Sequence, residues 1–320
     1  MYRILHDTKY DFIRWWRTAA GLTIAFIVVG LVALVMRGGL LYSVDFTGGT
    51  VMQLTFTQQP DVQRLRTALV AGGLHGAEIQ EFGSKTEYII RMQGDTSTAG
   101  TEVASQNVRK VVSDLVGQDG FRVDRAEVVG ARVGSELRRG ALLAVLISFA
   151  ITLMYLAWRF EWRFGLSAVL ATAHDIIATI AFMAMLRLEV SLTVIAALLT
   201  VIGYSLNDTI IIFDRVRENL RKNRKETLYD TLNRSVNETL PRSILTHATT
   251  LAATAALLIF GGEVIRPFAW IMSFGIFTGT FSSIYVASPI LMYVERRFPR
   301  DPDSKGARAA TVSPAQAKAR

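Results

Sequence analysis

Long apolar runs alternate with polar segments along this chain, and their lengths predict six membrane-crossing helices. At 1.5 Å of rise per residue, roughly 20 mostly apolar residues cross about 30 Å of hydrocarbon. Runs of that kind occupy 19–36, 140–157, 164–186, 190–213, 244–262 and 268–293. The third, fourth and fifth carry polar residues and are weaker spans by hydropathy alone. The first has the look of a signal peptide, but no small-residue cleavage site follows it, so it reads as a retained anchor. Trp15 and Trp16 would then sit at its water boundary.

Residues 37–139, between the first two spans, have the mixed pattern of a water-facing domain. Alternation predicts a strand over 44–57 with an internal Gly48-Gly49, then a helix over 61–71 and strands over 76–82 and 86–92. Val108, Val111, Val112, Leu115 and Val116 recur at helical spacing, and 121–131 alternates again as a strand. The order β-α-β-β-α-β is that of a ferredoxin-like split unit. The expected fold class is therefore an α-helical polytopic membrane protein with six spans and an α+β ferredoxin-like domain between the first two. Residues 94–101 read as an exposed loop, and the polar tail after Pro299 reads as disordered.

Composition agrees with a membrane protein: 51% of the 320 residues are hydrophobic and 19% charged, against about 25% charged in ordinary soluble domains. No cysteine is present, which excludes disulfides and thiol chemistry. The net charge of +8 could point to nucleic acid, but its distribution argues for topology. Segments 1–18, 158–163, 214–243 and 294–320 hold 4, 2, 8 and 7 Lys or Arg, whereas 187–189 and 263–267 hold only Arg187 and Arg266. The positive-inside rule puts both termini and the basic segment 214–243 in the cytoplasm and 37–139 on the outer face. Anionic membrane lipid would reinforce this, and no nucleic-acid partner is required.

Ionisable residues in the spans are the candidate chemistry, because an ionised Asp at a helix centre costs about 2.5–3.5 kcal/mol on insertion scales and normally faces protein or water. His174 and Asp175 fall at the middle of the third span, and Asp208, after Asn207, lies about six residues inside the fourth. Thr200, Tyr204 and Asp208 share a helical face, as do Thr172, Asp175 and Thr179, and Thr246, Thr250 and Thr254 on the fifth span. Gly275, Gly279, Ser283 and Ala287 form a thin packing seam on the sixth. The expected interior is polar, with Tyr204, Asn207, Thr246 and Thr250 lining it. Arg242 follows Pro241, a residue favoured in a first helical turn, and is a candidate counter-ion for Asp208. An acid whose cation can approach and retreat would be a proton switch. The alternatives are an Asp208 that snorkels to the interface or locks the fold, and a His174-Asp175 pair that is either structural or part of a relay. The glycines of Asp45-Phe46-Thr47-Gly48-Gly49 read as a turn or bulge, since no helix N-terminus follows to bind phosphate.

Enzymatic readings are weaker. No further His/Asp cluster accompanies His174-Asp175 to build a metal hydrolase, and Tyr204-Ser205-Leu206-Asn207 before Asp208 lacks the Gly-x-Gly of intramembrane aspartyl proteases. The expectation is a non-enzyme with no metal and no cofactor.

An ordered set of segments is more specific than any of these signals. VDFTGGT (44–50), AHD (173–175), GYSLNDTIIIFDRVREN (203–219), ETLPRSILTHATTL (238–251), LLIFGG (257–262) and RPFAWIMSFGIFTGTFSSIYVASPIL (266–291) resemble the bacterial SecD/SecF family of the resistance-nodulation-division superfamily. The resemblance is to its shorter, SecF-type chains, because the longer outer region expected of SecD is lacking. It implies an accessory subunit of the Sec preprotein translocase in the bacterial inner membrane, working with SecD beside SecYEG, often with YajC. It also implies that preproteins are drawn outward by the proton-motive force, with protons as the coupling ion. Asp208 matches the proton-carrying carboxylate, Arg242 its coupled arginine, and Asp175 a further acid of the pattern. The competing readings are a proton-coupled exporter subunit for small molecules and a scaffold that moves no protons. Six spans resemble half of a twelve-span arrangement, so a partner half is expected.

Overall fold

The computed structural model describes residues 8–74, 77–92, 98–223 and 225–298. Six of its helices are long and apolar enough to cross a membrane. They are α1 (Trp16–Met36, entered through a 3₁₀ turn at Ile13–Trp15), α5 (Ala131–Arg159), α6 (Trp162–Leu186), α7 (Leu192–Lys222), α8 (Leu228–Phe260) and a composite sixth. The composite is α9 (Gly262–Ser282), a π-helical turn (Ser283–Ala287) and α10 (Ser288–Arg297). Two of the spans, α7 and α8, are capped by side chains: Ser191 Oγ accepts from Val194 N at 3.3 Å and Thr227 Oγ1 from Asp230 N at 3.1 Å. At the C-terminus of α6 the chain reverses through Arg187 in the left-handed region, φ 53°.

Small residues bring the helices together. A methyl on Gly30 of α1 would lie 2.3 Å from Ala181 Cβ of α6. On α9, methyls at Gly275 and Gly279 would meet Val201 Cγ2 at 2.3 Å and Ser205 Cα at 2.9 Å, so α9 packs on α7 almost backbone to backbone. Two apolar clusters form. One joins Phe160, Phe164, Phe213, Val216, Leu232 and Leu291, and the other joins Phe46, Met183, Val194, Val201, Ile271 and Met272. Asp175, Asp208 and Ser282 fall between them in sequence on α6, α7 and the sixth span.

The water-facing domain consists of β1 (Gly49–Phe56), α3 (Val62–Ala71), β2 (Glu78–Phe82), β3 (Ser84–Met92), α4 (Thr98–Val116) and β4 (Phe121–Val129). The sheet is antiparallel throughout, in the order β2-β3-β1-β4. Period-2 alternation buries Met52, Leu54, Phe56, Tyr88, Ile90 and Met92 on one face, where Leu65 and Leu69 of α3 and Val108 and Val112 of α4 cover them. The opposite face, with Gln53, Arg91, Arg125 and Glu127, borders an open cavity of about 550 Å³ whose other wall is the α6–α7 connection.

Expectations change at 44–47, at 94–101 and at Pro241, whereas the helix read for 214–227 is found as far as Lys222. Residues 44–47 are not strand but a short helix, α2 (Val44–Thr47), and the strand begins at Gly49. The Gly48-Gly49 pair makes the corner between them with φ of 72° and 134°, which a side chain would resist. Of the loop expected over 94–101, residues 98–101 open α4, while 93–97 lie outside the described residues. The basic segment 214–243 is largely helical, because α7 runs on to Lys222 and α8 starts at Leu228. Arg215–Glu238 (2.6 Å) and Asn219–Ser235 (3.0 Å) contacts pair those two extensions, so the charges that mark topology also stitch a helical hairpin. Finally, Pro241 lies inside α8 rather than in a first turn. The tail after Pro299 lies outside the described residues.

Candidate functional site in the membrane-spanning bundle

Two acid–histidine pairs occupy the bundle interior. Asp175, 1% exposed, is held on every side. His174 Nδ1 lies 2.9 Å from its Oδ1, Ser282 Oγ donates to its Oδ2 at 2.6 Å, and Ser205 Oγ donates to the same oxygen. The other nitrogen of His174, Nε2, meets Thr23 Oγ1 of α1 at 2.7 Å. One carboxylate thus ties α6 to α7 and α9, and its histidine ties α6 to α1. The π-helical turn follows directly after Ser282. Ser282 reaches Asp175, and its neighbour Ser283 bonds Thr209 of α7 at 2.8 Å, so two consecutive hydroxyls both serve the interior. Such turns recur at functional sites.

Asp208, 3% exposed, has a sparser setting. Its Oδ1 accepts from Ser243 Oγ at 3.3 Å, and its Oδ2 lies 3.3 Å from His247 Nε2. Ser243 and His247 are four residues apart on α8 and so share the face turned to α7. Tyr204, one turn before Asp208, stacks edge-on against the His247 ring at 5.6 Å. Its hydroxyl lies 3.2 Å from Thr250 Oγ1 and 3.4 Å from the Thr246 carbonyl, with one proton to give to either.

Tyr204, Asp208, Thr246 and Thr250 therefore come together as the sequence pattern implies. Two other candidates do not join them. Asn207 is exposed on α7, one residue and 100° round from Asp208, beside the equally exposed Gly203. Arg242 is exposed on α8 and makes no ion pair with Asp208 among the described residues. The reason is the continuity of α8 through Pro241: a regular helix that points Ser243 and His247 at α7 turns Arg242 away. Thr246 sends its own hydroxyl back to the Arg242 carbonyl, 2.9 Å away.

The residue that sequence reasoning missed is His247. A titratable side chain within a candidate span was the available signal; its place among four threonines and several alanines disguised it as part of a small-residue seam. Ser205 and Ser282 were missed because a serine in a span is ordinary until a carboxylate is placed opposite it.

Asp45, Gly48 and Gly49 lie outside the bundle. Asp45 Oδ2 accepts from Leu192 N at 3.0 Å, closing the first turn of α7. Around it, Ser43 N bonds the Val190 carbonyl at 2.9 Å, Val190 N bonds that of Leu41 at 2.7 Å, and Arg91 of β3 pairs with Glu189. The sheet domain is thus docked on the α6–α7 connection. Among the described residues, no group of three or more His, Cys, Asp or Glu is placed to hold a metal ion.

Comparison with known proteins matches this architecture from end to end. A family described as protein export membrane protein SecD/SecF, C-terminal, matches residues 108–297, and the SecD/SecF GG motif matches 39–60. The chain belongs to the SecD/SecF family. The protein translocase subunit SecF of Gemmatimonas aurantiaca is 56% identical over 98% of this chain and 96% of its own length. That of Vibrio alginolyticus is 41% identical over 91% and 92%. Among solved structures, SecDF of Thermus thermophilus, a translocon-associated membrane protein, superposes with a TM-score of 0.80 at 34% identity. A SecDF in a super-membrane-facing form superposes at 0.65 and 37%. Each comparison covers 93% of this chain, which spans 40% of the SecDF chain. The family's GG motif coincides with the α2–β1 corner and the Asp45 cap.

Proposed function

We propose that this chain is a SecF-type accessory subunit of the Sec preprotein translocase. It assembles with a SecD-type partner beside SecYEG, with YajC as a further associate, and uses the proton-motive force to promote export of preproteins across the bacterial inner membrane. Protons are the coupling ion and no cofactor is bound. The sheet domain, residues 37–139, is a ferredoxin-like unit facing the periplasm, and both termini and the helical hairpin of 214–243 face the cytoplasm. The strand order and the Lys/Arg distribution support these placements.

One observation carries the reading: among the described residues, the polar partners of buried Asp208 are Ser243 and His247, both at 3.3 Å and neither a fixed cation. Asp175, with close partners on three sides, is built to hold helices together. Asp208 is free to change partner as it gains and loses a proton, with Arg242 available as the cation for its ionised form. A membrane potential acts on such a charge with about 2.3 kcal/mol per 100 mV, enough to bias helix packing. The chain's 40% share of a SecDF chain's length supports a separate partner half.

The test is Asp208→Asn in membrane vesicles containing the full chain, its SecD-type partner and SecYEG. The gradient-dependent component of preprotein export should vanish while ATP-driven translocation persists, and Arg242→Ala should be nearly as harmful. Export that still responds fully to the gradient with Asn at 208 would refute the reading.

A further inference from the structure

Hydrogen-bond accounting around His247 determines how many protons its pair with Asp208 holds. Thr280 Oγ1 of α9 lies 3.1 Å from His247 Nδ1 and 2.9 Å from the carbonyl of Ile276, one turn back on its own helix. A threonine has a single hydroxyl proton, and the carbonyl can only accept it. Placed on the shorter of the two contacts, that proton leaves Thr280 an acceptor toward the ring, and the hydrogen of the ring contact then belongs to Nδ1. Nε2 is left to face Asp208 Oδ2 at 3.3 Å. Were Asp208 ionised and the ring neutral, a lone pair would confront a carboxylate oxygen with no hydrogen between them. The contact requires one proton, on the carboxyl oxygen or on Nε2.

We propose that His247 is the proton partner of Asp208: the arrangement seen here is the loaded form, with one proton shared between them. This rests on Asp208 being the coupling acid. Loading takes one proton from water to the pair and release returns it to water, with no other bond changed. The consequence is mechanical. Release leaves two acceptors in contact and removes an attraction that holds α8 on α7. It also leaves an ionised Asp208 that a cation can claim. Arg242 lies five residues before His247 on the same helix, exposed and next in sequence to Ser243, which bonds Asp208. A shift of α8 that withdraws the ring would exchange one partner for the other. The remaining groups around the ring do not compete. Among the described residues, its polar and ring partners are Asp208 and Tyr204 on α7, the latter's hydroxyl lying by Thr250, and Thr280 on α9. Among the described residues, α10 and the N-terminal turn bring no titratable side chain into contact with it.

The test compares His247→Gln and Thr280→Val with the unaltered chain, in vesicles with the SecD-type partner, across a pH series of gradient-driven export. Gln keeps the reach and a donor for Asp208 but binds no proton, so its profile should move by about one pH unit or flatten, as expected when one member of a strongly coupled pair is removed. Thr280→Val, which frees the tautomer, should move it the same way by less. A wild-type profile for His247→Gln, alongside a dead Asp208→Asn, overturns the pair while leaving the coupling acid in place; a live Asp208→Asn overturns the coupling acid itself. If the Gln chain fails to assemble, ¹⁵N-histidine spectra of the unaltered chain decide. Hydrogen on Nδ1 with Nε2 engaged in a shared proton is expected, and a bare Nδ1 would refute the assignment.

Discussion

At the residue scale, two carboxylates in one interior have very different surroundings. Asp175 has a donor or histidine on each oxygen and connects four helices. Ser282→Ala would strip one donor from it without opening space, at a cost of about 1–3 kcal/mol for a hydrogen bond to an acid. A lower thermal-unfolding midpoint of the detergent-solubilised chain, with the Asp208 pair intact, is the expected result. His247 and Arg242 show how little separation in sequence decides a role. Both were visible as ionisable residues near the fifth span, and helix phase alone selected the histidine to touch Asp208.

At the element scale, the sixth span matters most, since it supplies hydroxyls to both sites and packs against α7 through glycine. Gly279→Ala would drive a methyl to 2.9 Å from the Ser205 backbone. Neither backbone can yield without parting α9 from α7, and overpacking of this kind costs about 1–3 kcal/mol. Loss of the Ser205–Asp175 and Thr209–Ser283 bonds should accompany it, read as faster hydrogen exchange in the middle of α7. At the other end, the N-terminal segment is strapped to α8. Asn237 exchanges bonds with Tyr10 in both directions, Asn233 accepts from Ile13 N, and Asp11 accepts from Tyr229 and Asn233. The Tyr229 hydroxyl, more than any other group, holds the Asp11 carboxyl below the usual carboxylate range. An acid with a depressed folded value stabilises above its ordinary value, about 3.9, and loses that contribution as pH falls through the lowered one. Protease access to the N-terminal segment should rise in that acid window and at neutral pH for Asp11→Asn.

At the scale of the whole molecule, the α6–α7 connection is one of the places where the sheet domain meets the bundle, beside the packing of α2 on α5. Residues 187–191 lead into α7, the helix that carries Asp208, and bind the domain through Val190 and Glu189, while Leu192 at the start of α7 takes the Asp45 cap. Burial pushes the Glu189 carboxyl up despite the opposing charge of Arg91, so its pairing with that guanidinium matters. Arg91→Ala leaves a half-buried acid without its partner, a loss of about 1–3 kcal/mol. Hydrogen exchange should increase in 187–191 and at the start of β1 but not in the α3/α4 face of the sheet. Unchanged exchange there would mean the docking depends on backbone bonds alone. These contacts join the start of α7 directly to the sheet domain.

Local chemistry written along the chain determined a great deal. Span number follows from apolar length, the sheet domain's element order from period-2 and period-3.6 patterns, and Asp175 and Asp208 stand out because carboxylates in hydrocarbon need a reason. These are properties of neighbours in sequence, and the same local reasoning misjudged 44–47, where alternation continued into residues that the Gly48 corner turns into helix. Tertiary structure alone decided which groups surround each acid. A span has several faces and a sequence does not say which one its neighbour presents, so Ser205, Ser282, Thr280 and His247 became partners only once α7, α8 and α9 were packed. Pro241 illustrates the limit: the residue alone suggests a helix start, but the packed α8 runs through it, and that continuity turns Arg242 outward and His247 in.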